Sequence, residues 1–133
     1  MDFEKIIQIA ELAGDAILEI YNKSGNIRIE HKGDDSPLTE ADLAAHNIIV
    51  DELKKIDDTP IVSEEGNEGD PLSSDTCWLV DPLDGTKEFI KRNGMFTVNI
   101  ALMSRKKNRW TPIFGVVHAP VSKTTWSGGV IAP

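Results

Sequence analysis

From Asp2 to Asn22 the apolar residues Phe3, Ile6, Ile9, Ala10, Ala13, Ile17 and Ile20 recur at helical spacing, and Gly25 follows as a stop. One stripe of this kind must be buried against something, so the stretch predicts an amphipathic helix. The period then changes: in "NIRIEHK", Ile27 and Ile29 alternate with Arg28 and Glu30, which predicts a half-buried strand broken by "GDDSP". Thr39 opens a second predicted helix running to about Ile56. Thr39-Glu40-Ala41-Asp42 has the form of a capping box, so a helix cap is one role open to Asp42.

The second half reads mostly as strands. Ile61-Val62 is a short one ending in Ser63-Glu64-Glu65-Gly66, and the polar "GNEGDPLSSDT" that follows is of the kind found in surface loops. Cys77 to Val80 is too short and too apolar for anything but a buried strand, expected to stop at Asp81. Phe96 to Met103 and Pro112 to His118 predict two longer strands joined at the basic tip Arg105-Lys106-Lys107-Asn108-Arg109, and "TTWSGG" begins another. This order predicts an α+β fold with helices packed on a largely antiparallel sheet. The strand-like ending "KTTWSGGVIAP" would leave a sheet edge unpaired, and proteins usually cover such edges. Residues 1–133 are therefore expected to be a truncated part of a longer molecule.

Composition narrows the function. The chain has 133 residues, a formal net charge of −8 and 40% hydrophobic residues, which suits one globular unit and disfavours nucleic-acid binding. No stretch approaches the roughly 18 to 20 apolar residues of a membrane span, and the start Met1-Asp2-Phe3-Glu4-Lys5 is not a signal peptide. Lone Cys77 allows no internal disulfide, and a reducing cytoplasm is the compartment expected. His31, His46 and His118 show no zinc-like spacing.

The stretch "WLVDPLDGTKEF", residues 78–89, carries the candidate chemistry. An apolar run empties into Asp81 and Asp84, with Gly85-Thr86 behind them. Like charges brought close raise each other's pKa and cost stability, so they need solvation or a shared cation. If the Ile61-Val62 and Cys77–Val80 strands are neighbours, their ends also bring Glu64, followed by Glu65, to Asp81. Oxygen-only ligands select a hard cation, and Asp-x-x-Asp-Gly is not the EF-hand spacing, so Mg²⁺ is favoured over Ca²⁺. Backbone N–H groups at Gly85-Thr86, ahead of the helix-compatible "KEFIK", offer an anion site, and an acidic cluster can accept a phosphate only through bridging cations. Each feature has a plainer reading alone: Asp-Pro-Leu-Asp-Gly-Thr as a turn and helix cap, Glu64-Glu65 as a solvated loop, Asp42 as a cap. Haloacid-dehalogenase phosphatases carry Asp-x-Asp-Gly-Thr with the first Asp as nucleophile; here that position is Pro82, so their covalent mechanism is excluded.

"DSPLTEAD" (35–42), "VSEEG" (62–66) and "WLVDPLDGTKEF" (78–89), in this order, resemble the inositol-monophosphatase superfamily of Mg²⁺-dependent, lithium-sensitive phosphatases. Lys32 ahead of "DDSPLTEAD", and the ending "DGTKEF", look like its CysQ-type 3′(2′),5′-bisphosphate nucleotidases. The resemblance implies the N-terminal lobe of a layered αβαβα sugar-phosphatase fold. It implies that Glu64, Asp81 and the Leu83 carbonyl bind one Mg²⁺, and that Asp81 bridges to a second ion also held by Asp84. Thr86, hydrogen-bonded to Asp42, would orient and deprotonate the metal-bound water, while the Gly85 and Thr86 N–H groups hold the phosphate of adenosine 3′,5′-bisphosphate or its phosphosulfate relative. Inositol or fructose phosphates are the alternative substrates, and a non-catalytic metal- or phosphate-binding module is the alternative class. The family's later aspartate, which completes the second metal site, has no counterpart after "VVHAP", so a missing C-terminal lobe or a second copy of the chain is the expected partner.

Overall fold

The computed structural model describes residues 2–23, 29–31 and 37–129. Helix α1 spans Phe3–Tyr21, with the Asp2 side chain accepting the Glu4 N–H at its start, and it buries the stripe expected from the sequence. Helix α2 spans Glu40–Lys54. Its capping box is present: Asp42 N–H donates to Thr39 Oγ1, and Thr39 N–H donates to Asp42 Oδ2 at 2.9 Å. The polar loop before Thr76 carries a short 3-10 turn at Pro71–Ser73.

The strands, in chain order, are β1 (Ile29–His31), β2 (Pro37–Thr39), β3 (Ile61–Ser63), β4 (Thr76–Asp84), β5 (Thr97–Lys106), β6 (Arg109–Ala119) and β7 (Thr124–Gly129), with helix α3 (Thr86–Lys91) between β4 and β5. Strands β1 and β2 form a separate antiparallel pair. β2 is not foreshadowed by "GDDSP"; Pro37 is its first residue, where a missing N–H is tolerated. Ile29, expected to face inward, is 43% exposed because this pair lies apart from the main sheet, and Ile27 lies outside the described residues.

The main sheet has the order β3-β4-β5-β6-β7; β3 and β4 are parallel and every other pair is antiparallel. It is an α+β arrangement of three helices on a mostly antiparallel sheet, as the sequence predicts. The basic tip closes β5 to β6 through Lys107 and Asn108, with φ of 51° and 63°, the pair of left-handed residues that a type I′ hairpin requires.

Alternation decides which face each strand residue takes. Trp78 and Val80, Val98, Ile100 and Leu102, and Phe114 and Val116 point to the helices and are buried, while Leu79, Val117 and Trp126 lie on the opposite, open face. Phe3 stacks on Phe114 with ring centroids 4.0 Å apart, docking the start of α1 on β6. At its other end Tyr21 meets Phe89 of α3 and Phe96, and the Arg92 guanidinium lies 4.4 Å above the Tyr21 ring. This aromatic cluster anchors α3, and with it the turn that precedes α3.

His118 on β6 is buried beneath α1, its Nδ1 2.8 Å from Thr125 Oγ1, and the ring fits only because position 14 is glycine: a Cβ there would lie 2.7 Å from His118 Cδ2. Burial pushes the His118 pKa below its ordinary 6.5, against the opposing pull of Glu11 and Asp15. The unfolded chain therefore takes up this proton more readily than the folded one, and stability falls as pH drops through the unfolded value of 6.5 toward the lower folded value. Denaturant unfolding at pH 7.5 and 5.5 checks this: the wild-type chain should lose more stability between the two than His118→Asn, and equal losses would contradict it.

Candidate metal and phosphate site

The site is built at one end of the sheet. Ser63 pairs with Val80 at the end of the parallel β3–β4 ladder, so Glu64 and Asp81 emerge side by side, and Glu64 N–H donates to the Val80 carbonyl at 3.2 Å. Both carboxylates line a cavity of about 310 Å³ on the open face, together with Leu79, Asn99, Ala101 and Val117.

Strand β4 does not stop at Asp81. It continues to Asp84, and the register slips there: Asp81 faces Asn99 and Asp84 faces Thr97, so three steps on β4 match two on β5. The extra residue is a bulge containing Pro82 and Leu83, and proline, lacking an N–H to donate, is tolerated where the ladder is broken. The bulge turns the chain toward α3. Gly85 follows with φ of 96°, where an added Cβ would also meet the Met95 carbonyl at 3.0 Å, so glycine alone fits. Phe89 N–H donates to the Gly85 carbonyl at 2.9 Å and starts α3.

Thr86, the first residue of α3, reaches across to α2: its hydroxyl donates to Asp42 Oδ1 at 2.9 Å, with the Leu83 carbonyl at 3.4 Å. Asp42 is fully buried, and its other oxygen accepts from Thr39 N–H and, at 2.6 Å, from Thr39 Oγ1. One carboxylate thus caps α2 and holds the Thr86 hydroxyl, so the capping role and the Thr86 contact coexist. Thr86→Val keeps the shape, removes the donor and leaves a buried carboxylate oxygen unpaired. It should cost about 1–3 kcal/mol of stability, measured by denaturant unfolding, where no change would show the bond to be inert.

The structure brings Glu64 to Asp81 and Thr86 to Asp42, but it does not gather all the acids. Among the described residues no group of three or more His, Cys, Asp or Glu side chains is close enough to hold one ion. Asp84 is exposed beyond the bulge, and its Oδ2 accepts from Asn99 Nδ2 at 3.1 Å. Asn99 is itself oriented by Thr97, whose hydroxyl donates to Asn99 Oδ1 at 2.9 Å. Asn99 faces Asp81 in register and bonds Asp84, so it ties the two aspartates together. Sequence reasoning missed it; the only available signal was a polar residue on the outward alternation of β5. Lys32 lies outside the described residues.

The donor set fits a hard cation: two adjacent carboxylates and, one bulge further, the Leu83 carbonyl are all oxygens. His46 Nδ1 is engaged with Ser63 Oγ at 2.8 Å, and His118 lies under α1.

The site is thus two carboxylates at the end of a parallel strand pair, followed by a bulge and a Gly-Thr helix start. The chain belongs to the inositol monophosphatase family, which it matches over residues 3–130. It is 48% identical over 127 residues to the "3′(2′),5′-bisphosphate nucleotidase CysQ" of Escherichia coli K12, covering 93% of this chain and 50% of that protein. The CysQ structure from Bacteroides thetaiotaomicron is 44% identical with a TM-score of 0.75, over 95% of this chain and 45% of that one. The extragenic suppressor protein suhB of Bartonella henselae superposes with a TM-score of 0.84 at 29% identity, over 96% of this chain and 48% of that one. The chain spans about half the length of the curated relatives it matches. No described helix is long and apolar enough to cross a membrane.

Proposed function

We propose that this chain is the N-terminal catalytic lobe of a Mg²⁺-dependent phosphatase that removes the 3′-phosphate of adenosine 3′,5′-bisphosphate or its phosphosulfate relative. The observation that carries the reading is that Glu64 and Asp81 leave the end of the parallel β3–β4 ladder together, while the Thr86 hydroxyl, one bulge further along the chain, is held by the buried Asp42 carboxylate. The 48% identity to a protein named for nucleoside-bisphosphate hydrolysis supports the substrate class.

In this reading Glu64, Asp81 and the Leu83 carbonyl hold one Mg²⁺, and Asp81 with Asp84 holds part of a second site. Bound Mg²⁺ would supply a strong oxygen nucleophile at neutral pH and neutralise the departing ester oxygen. The chain's own groups set the geometry. With its proton committed to Asp42, the Thr86 oxygen presents lone pairs to an attacking water and can receive that water's proton while passing its own to the carboxylate. Gly85 and Thr86 N–H groups face the phosphate, and Asn99 limits where Asp84 can swing. The exposed Leu79, Val117 and Trp126 on the open face support a second layer there, as a layered αβαβα molecule would have, with the C-terminal lobe completing the second ion site.

Mg²⁺ titration by calorimetry, run beside phosphate release from adenosine 3′,5′-bisphosphate and from inositol phosphate, tests the reading. The expected result is Mg²⁺ binding by the chain as it stands, with release favouring the nucleoside bisphosphate once the second lobe is supplied. Absence of Mg²⁺ binding would overturn it, and preference for inositol phosphate would redirect the substrate.

A further inference from the structure

Helix α2 brings two polar side chains to the sheet one turn apart. Asp42 serves Thr86, as described above; His46, four residues on, serves Ser63, the residue immediately before Glu64. Ser63 is 8% exposed, and three of its polar groups are used within the acidic turn. Its N–H donates to Asn67 Oδ1 at 3.2 Å, its carbonyl accepts from Gly66 N–H at 3.2 Å, and its Oγ accepts from Glu65 N–H at 3.3 Å. The same Oγ lies 2.8 Å from His46 Nδ1, and the direction of that hydrogen bond follows the tautomer of the ring. A chain of contacts therefore runs from the helix through His46 and Ser63 to the backbone of Glu64 and Glu65.

We propose that His46 is a positioning residue for the acidic turn: acting through Ser63, it fixes the Glu64 backbone so that its carboxylate stays beside Asp81, ready for a divalent cation. The inference rests on the metal-binding reading above and adds to it a residue that touches neither ion nor substrate. A turn of four residues with an exposed glutamate has many conformations, and each one lost before binding lowers the entropy that binding must overcome. Outer partners that orient a ligand affect metal affinity by about 10- to 100-fold. His46 and Asp42 would then divide the work of one helix face: one orders the ligand turn and the other the Thr86 hydroxyl.

The test compares the wild-type chain with His46→Ala, His46→Asn and Ser63→Ala in three measurements: Mn²⁺ affinity by calorimetry, the thermal midpoint, and hydrogen exchange at the Glu65 amide. The expected result is about tenfold weaker Mn²⁺ binding and faster Glu65 exchange in His46→Ala and Ser63→Ala. His46→Asn, whose amide can occupy the Nδ1 position, should restore both to within about twofold of wild type. A purely structural His46 would lower the thermal midpoint equally in both His46 variants and leave the Mn²⁺ affinity untouched, which would overturn the proposal. Wild-type chain that binds Mn²⁺ with a His46→Ala variant of equal affinity would overturn the proposal alone, and wild-type chain that binds no Mn²⁺ would overturn the metal reading with it.

Discussion

Asp81→Asn should abolish the proposed Mg²⁺ binding and reduce phosphate release by about three orders of magnitude. Asp81 is the residue at which the two halves of the site meet: it and Glu64 each follow the last paired residues of the β3–β4 ladder, and it is separated from Asp84 only by the bulge. Asn keeps the size and the register but removes the charge that a divalent ion needs. The loss should exceed the roughly 10- to 100-fold that removing an outer partner costs, because a direct ligand is gone. Electrostatic stabilisation by a bound metal is worth several kcal/mol in the transition state, and about 1.4 kcal/mol corresponds to a factor of ten in rate. Calorimetry and phosphate release, the latter on the molecule with both lobes, read the two effects. Unchanged Mg²⁺ affinity would place the ion elsewhere.

The second large effect is on stability. Trp78 is fully buried three residues before Asp81, in the layer between the sheet and α2. Trp78→Ala would leave a cavity that neighbours on a five-stranded sheet cannot collapse to fill, at a cost of about 3–5 kcal/mol. For a domain with roughly 5–15 kcal/mol in total, that is enough to lower the thermal midpoint by about 10 °C or more. Leu79→Ala, one position along but on the open face and 47% exposed, should change the chain far less. Similar losses for the two would contradict the assignment of faces.

That contrast shows what the sequence could reveal. Period-3.6 spacing located α1, and the Thr39–Asp42 pattern located the start of α2, because both signals depend on local backbone geometry. The apolar Cys77–Val80 run located β4 but not its end: a proline after Asp81 reads as a stop, and only the pairing with β5 shows the chain continuing through a bulge to Asp84. The pairing of β3 with β4, conditional in the sequence, is present, and it is what brings Glu64 to Asp81. β2 escaped notice because it has three residues and begins with proline. Asn99, Ser63 and His46 were invisible as site residues for a different reason. Their importance lies in bonds across elements, to Asp84 from 15 positions away and to Ser63 from 17 positions away, and no local pattern encodes those partners.

The dual use of Asp42 is a related case. A capping box accounts for the Asp by itself; the bond from Thr86, 44 residues later, is implied by the family resemblance and is encoded in no local pattern. A cap residue shared with a functional hydroxyl couples the start of a helix to the site. The loss of either function through mutation would therefore be felt in both.

In the proposed reading a divalent cation binds at the strand ends and turns an acidic cluster into a receptor for phosphate. Crystals grown with Mn²⁺ and measured at its absorption edge test it most directly. An anomalous peak is expected within coordination distance of the Glu64 and Asp81 carboxylates and the Leu83 carbonyl. Anomalous density confined to other surfaces, with Glu64 and Asp81 turned away from one another, would contradict it.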